Sequence, residues 1–186
     1  MSNPTDHEFT QRLRDSRYGV TLAALTILLG FSLGGVFGAF EDSLKSDLTE
    51  RAKAAPAEVY GGDAVRMKAV TDKSFNYYKR SHLHGGAIGA AALGLMLLLA
   101  LLRRPNAMVR QACSLALGVG GFGYSLFWML AARAAPSLGS TDAAKESLGW
   151  LAIPSAGLLL LGLTAVLALT VLELFAPPSS QPANAA

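Results

Sequence analysis

The sequence predicts an all-α fold: an integral membrane four-helix bundle with a long external loop that contains a short amphipathic helix. Three observations predict it. Four stretches, at about 19–40, 82–102, 112–132 and 148–172, are almost wholly apolar, and roughly twenty residues at ~1.5 Å each span the hydrocarbon core of a bilayer. No Asp, Glu, Lys, Arg or His falls in the middle of any of them. Arginines gather ahead of the first stretch (Arg12, Arg14, Arg17) and between the second and third (Arg103, Arg104, Arg110). With four crossings these two groups share a side, and short loops rich in Arg and Lys stay in the cytoplasm. Both termini are therefore expected there.

Residues 1–17 read as a polar, loosely ordered cytoplasmic tail, and 18–175 as the membrane domain. The apolar run 19–40 is longer than the core of a secretory signal, so it is expected to remain as the first span. Within it Gly30, Gly34 and Gly38 form two overlapping G-x-x-x-G patterns on one helical face, where a neighbouring helix can approach closely. Residues 41–81 carry eight basic and seven acidic residues, a nearly neutral and well-solvated external loop. Leu44, Leu48 and Ala52 recur at helical spacing in it, which predicts a short amphipathic helix at the interface. Pro56 and Gly61-Gly62 interrupt that pattern, and Thr71 or Asp72 is an acceptable N-cap for a helix running into the second span. Phe75, Tyr77 and Tyr78 fit an interfacial aromatic belt.

The second span opens with His82 and His84 and continues through Gly85, Gly86 and Gly89 before turning to leucine. The third combines glycines with Tyr124, Phe127 and Trp128. A short polar loop with the cap-like Ser140-Thr141-Asp142 leads to the fourth, where Trp150 and Pro154 stand near the start. Residues 176–186, APPSSQPANAA, have the composition of a disordered tail. Gly30-Phe31-Ser32-Leu33 and Gly123-Tyr124-Ser125-Leu126 match in depth, and Gly89/Gly94 match Gly157/Gly162 in spacing. Two duplicated helical hairpins would produce that pattern. The glycines expected at helix contacts are Gly30, Gly34, Gly38, Gly86, Gly89 and Gly157.

Composition narrows the function. The net charge of +3 is small and scattered, without a basic stripe, so nucleic acid is not an expected partner. Cys113 is the single cysteine, so neither an intrachain disulfide nor a thiolate metal cage can form. Ion-coupled carriers generally need an ionisable group at depth, and none falls in the middle of a span. No H-E-x-x-H, G-x-S-x-G or P-loop occurs, which points away from an enzyme.

The one polar constellation lies at the external boundary. Glu41 and Asp42 leave the first span where His82 and His84 enter the second, and imidazole with carboxylate suits a divalent metal such as Cu(II) or Zn(II). Residues two apart on a helix point about 200° away from each other, so His82 and His84 cannot both hold one ion on an unbroken helix. Interfacial side chains bonded to headgroups, water or Glu41 are the plain alternative. Tyr124 and Trp128, with Trp150 at similar depth, would stack on a quinone or serve as an ordinary aromatic belt.

RYGVTLAALTILLGFSLGGVFGAFEDSLK and YYKRSHLHGGAIG together resemble a group of small uncharacterised bacterial membrane proteins. Those have four spans, a glycine-rich first span ending in an acidic pair, and an aromatic, cationic H-x-H entry to the second. The resemblance implies a bacterial inner (cytoplasmic) membrane and names no activity. The expectation is a non-enzymatic accessory or scaffold subunit of an inner-membrane assembly, with the lipid bilayer and other membrane subunits or further copies of itself as partners. The alternatives are a redox, metal- or quinone-binding protein using the His/carboxylate site, and a small channel or carrier.

Overall fold

The computed structural model describes residues 4–175, with side chains from His7 onward. Seven helices follow one another: α1 (Pro4–Asp15), α2 (Arg17–Lys53), α3 (Ala57–Tyr60), α4 (Ala64–Leu101), α5 (Ala107–Leu138), α6 (Thr141–Ser147) and α7 (Gly149–Phe175). No strand occurs among the described residues. Helices α2, α4, α5 and α7 are long and apolar enough to cross a membrane, so this is a multi-pass, all-α membrane protein. The tail expected at 176–186 lies outside the described residues, as do residues 1–3.

The four long helices run alternately up and down, and α5 is the central one. In the most apolar window of each helix, 56% of the α5 residues are buried by protein but only 11% of those in α7. Helix α5 packs on α2, α4 and α7, whereas α7 rests almost entirely on α5. One apolar cluster lies toward the end bearing the chain termini, built from Ala23, Met96, Leu99, Cys113, Leu117 and Val166. A second lies toward the opposite, distal end and is aromatic: Leu48, Phe75, Tyr77, Tyr78, Phe127 and Trp128.

The stretch 41–81 is mostly helix rather than loop. Helix α2 runs on to Lys53, with a break at Phe40, whose φ/ψ of −138°/27° is not helical. Helicity resumes at Glu41-Asp42, where acids at a new helix start meet the positive end of its dipole. Helix α4 begins far ahead of Thr71: Asp63 caps it, its carboxylate accepting from Arg66 N–H at 2.9 Å. The turn before it needs Gly61 and Gly62, with φ of +58° and +80°. Leu44, Leu48 and Ala52 do mark a helical face, but it packs on protein: Leu48 and Ala52 are fully buried. Outside the bilayer that burial stabilises, by roughly 1.5–3 kcal/mol for a leucine. This is the physical reason the charged segment does not stay a solvated loop.

Two further departures follow the same logic. The N-terminal tail is helix α1, which folds back against the ends of α4 and α5. The loop expected after the third span is shortened, because α5 continues to Leu138 and stops at Gly139 with φ of +62°. Ser140 then caps α6, accepting from Ala143 N–H at 3.2 Å, as the Ser-Thr-Asp pattern predicts.

Within the membrane region, helices meet through glycines. A Cβ on Gly30 would collide with the backbone of Gly85 and Gly86, and one on Gly123 with Ser155. Aligning Gly30 with Gly123 and Gly89 with Gly157 puts Gly85 over Ile153, two residues short of Ser155. Two residues are about 200° of helix, and Ile153 is exposed where Gly85 is buried, so the contacts of the two hairpins do not repeat in the register that the duplication predicts.

Candidate functional site: the distal membrane boundary

Helix α4 is unbroken through its two histidines, so they face different neighbours. His82 turns to α2. Its Nδ1 lies 2.7 Å from the carbonyl oxygen of Gly30, and because a carbonyl only accepts, Nδ1 carries the hydrogen and donates it. The ring fills the notch left by Gly34, where a Cβ would sit 2.7 Å from His82 Cε1. Phe37 meets the imidazole edge-on, with ring centroids 5.6 Å apart. This arrangement fixes ring orientation and leaves Nε2 as the open position.

His84 turns to α5. Its ring lies 5.4 Å from that of Tyr124 and 6.2 Å from that of Trp128. One turn earlier, Arg80 sets its guanidinium 4.8 Å from the Trp128 ring centroid and 5.4 Å from that of Tyr77. Trp150, expected at similar depth, is largely exposed on α7.

The structure does not bring His82, His84, Glu41 and Asp42 together. Glu41 pairs with Lys45 one turn along α2, and Asp42 is exposed. Among the described residues no group of three or more His, Cys, Asp and Glu side chains is close enough to hold a metal ion. The cause is the 200° separation of residues two apart on a continuous helix.

Of the six glycines expected at helix contacts, four adjoin a neighbouring helix, three of them where a side chain would collide. Gly30 meets Gly85 and Gly86, Gly34 meets His82, and Gly89 meets Ile27 and Ala23. A Cβ added at Gly38, Gly86 or Gly157 would meet nothing within 4 Å. Gly86 still contributes its backbone, since Gly30 abuts its nitrogen. Beyond those six, Gly19, Gly85, Gly118, Gly120, Gly121, Gly123 and Gly162 also sit against a neighbouring helix. The small-residue bias of the spans was the only available signal for them.

Polar ties that the sequence did not signal hold both ends. At the distal end the Tyr60 hydroxyl donates to Pro136 O at 2.6 Å, and Arg66 donates to Gly139 O at 3.2 Å. Burial raises the Tyr60 phenol above its ordinary value. On α6 the hydrogen bond and charge of Lys145 hold the Asp142 carboxyl below the usual range. Within the bundle, Ser81 donates to Ser125 O at 2.8 Å and joins α4 to α5. At the end bearing the termini, buried Arg110 donates to Leu102 O at 2.6 Å, a cation at the carbonyl end of α4. The Glu173 carboxylate accepts from the backbone N–H groups of Arg103 and Arg104, at 3.2 and 3.0 Å.

A shallow groove of about 260 Å³ lies between α2 and α4 in the distal hairpin. Lys45, Thr49, Thr71, Asp72, Asn76 and Lys79 line its polar part. Lys45 is committed to Glu41, and Asp72 to Lys68. That leaves Lys79 as the one lining cation without an ion pair among the described residues, and no paired nucleophile and base. Comparison of the chain with protein-family models, with curated proteins and with solved structures finds no match in any of the three.

Proposed function

We propose that this chain is a non-enzymatic accessory or scaffold subunit of a bacterial inner-membrane assembly, with both termini in the cytoplasm and the distal helical cap outside. The observation that carries the reading is a contrast between glycines. In α5, Gly118, Gly120, Gly121 and Gly123 each have a neighbour 3.0 Å or less from where a Cβ would stand. On α2 and α4, a Cβ added at Gly35, Gly38, Gly86 or Gly94 would meet nothing within 4 Å, although the Gly86 backbone itself abuts Gly30. Glycine gives a membrane helix a flat face, and its benefit is realised when another helix lies on that face. Open glycines beside the groove that holds His82 support a partner helix there. The outer face of α7 also has open positions at Gly149 and Gly157, but it is dominated by exposed Ile153, Leu160, Leu161 and Leu167.

The test is site-specific photo-crosslinking in the native membrane. A photoreactive side chain at Gly38 should trap another membrane subunit or a second copy, while one at Leu161 traps only lipid. Lipid adducts alone at Gly38, from a protein that purifies as a lone monomer, would sink the reading.

A second reading rests on His82. Its Nδ1–H is tied to a backbone carbonyl and its Nε2 is open, the arrangement in which imidazole commonly ligates a metal. Purified protein would then carry metal or a visible chromophore, lost in His82→Ala. A colourless, metal-free preparation from native membrane decides against it.

A further inference from the structure

At the distal edge of the membrane region, three hydrogen-bond donors meet without an acceptor. Arg80 sets its guanidinium over the rings of Trp128 and Tyr77, 4.8 and 5.4 Å from their centroids, and makes no ion pair among the described residues. Four other cations of the distal cap do pair, Lys45 with Glu41, Arg51 with Asp47, Lys68 with Asp72 and Lys145 with Asp142, whereas Lys73, Lys79 and Arg133 show no ion pair among the described residues. His84, four residues on and therefore over the same helical face, reaches Tyr124 and Trp128 but no hydrogen-bonding partner. The Trp128 indole N–H is buried and unbonded beside them.

Position selects the ligand. The charged part of α4 ends at Arg80, and an uncharged run begins at Gly85, so the site stands where hydrocarbon gives way to headgroups. Leu83 and Ala87, exposed on the neighbouring α4 surface, continue it into lipid. A guanidinium held against aromatic rings keeps its planar fork of donors outward, the geometry that matches the oxygens of a phosphate. A quinone would leave the charge uncompensated, and a metal ion would be repelled by it.

We propose that Arg80 and His84 form a seat for a phosphate group at the distal membrane boundary, supplied by a phospholipid headgroup or by free phosphate. Arg80 provides the charge and His84 a second donor, while Trp128 and Tyr77 hold the guanidinium in place.

The chain contains two tryptophans, so Trp150→Phe leaves Trp128 as the sole reporter. In uncharged detergent, a phospholipid with a nitroxide on its headgroup should quench Trp128 emission, and a nitroxide-bearing glyceride without phosphate should not. Arg80→Gln should weaken the phospholipid effect about tenfold, as for loss of a charge-assisted hydrogen bond. Arg80→Lys, which keeps the charge and loses the fork, should fall between. Millimolar inorganic phosphate that restores emission assigns the seat to free phosphate, and persistence of the quenching assigns it to lipid. Equal quenching by the two nitroxide probes, or no difference between Arg80 and both its variants, overturns the proposal.

Discussion

His82 on α4 donates its Nδ1 hydrogen to the carbonyl of Gly30 on α2, 2.7 Å away, with the ring seated on Gly34. One side chain therefore uses the absence of two others. Interhelical hydrogen bonds within membranes are worth about 0.6 kcal/mol on average, so His82→Ala should cost little through the bond alone. Gly34→Leu should cost more, about 1–3 kcal/mol, because the leucine and the imidazole compete for one notch. Thermal unfolding in a fixed detergent measures both. A Gly34→Leu protein no less stable than His82→Ala would show that the notch is not filled as described.

The glycine contrast makes a paired forecast. Gly120→Leu should separate α7 from α5, since its Cβ would meet the backbone of Leu159. Overpacking of this kind costs about 1–3 kcal/mol and lowers the melting temperature of the monomer. Gly38→Leu, which meets nothing, should leave that temperature unchanged and reduce only association. Equal destabilisation by the two variants would remove the distinction on which the proposed docking face depends.

Tyr60 gives a test confined to the distal cap. Tyr60→Phe removes the hydrogen bond to Pro136 O and should cost about 1 kcal/mol. Burial raises the folded-state pKa of this phenol. Its contribution is therefore fully present below about pH 10 and is lost as pH rises through the folded value. The melting difference between wild type and Tyr60→Phe should be flat from pH 6 to about pH 9 and should shrink above that window. A difference that disappears at neutral pH would contradict the bond.

Asp142 titrates in the opposite sense. Its carboxyl is held down by Lys145, so the pair helps above the ordinary aspartate pKa and fades as pH falls through the lowered value. Both groups are solvent-accessible, and exposed pairs contribute little. Asp142→Asn should accordingly match wild type once the pH has fallen through that lowered value and be at most slightly less stable at pH 7. A large loss at pH 7 would mean that Asp142 has a partner besides Lys145.

At the other end, Glu173 pins the short link between α4 and α5 through two backbone N–H groups. Glu173→Ala should free that link, and trypsin should cleave after Arg103 sooner than in the unaltered chain, Arg104 being shielded by the proline that follows it. Unchanged cleavage would show that Pro105, Arg110 and the adjoining helices hold the link by themselves.

The crossings were legible because lipid imposes one demand, a long uncharged helix, and the sequence meets it four times. The segment 41–81 was not, since its charges look the same on a solvated loop as on the outside of a packed helical pair. What orders it is apolar surface on α5, at Ala131, Ala132 and Ala135, far away in sequence. The opposite directions of His82 and His84 followed from helix geometry alone. Which glycines lie at contacts did not: Gly34 and Gly38 share a spacing, and only the break at Phe40 and the placement of His82 separate their surroundings.

The tie between Tyr60 and Pro136 bridges 76 residues of chain. During synthesis at ~5–20 residues per second, the first half of the cap waits roughly 4–15 s before the surface that completes it is made. Until then Leu48, Phe75 and Tyr78 face water or headgroups. A newborn chain stalled before its third crossing therefore offers proteases and chaperones a pair of bare amphipathic helices, and quality control of this protein would act on that interval.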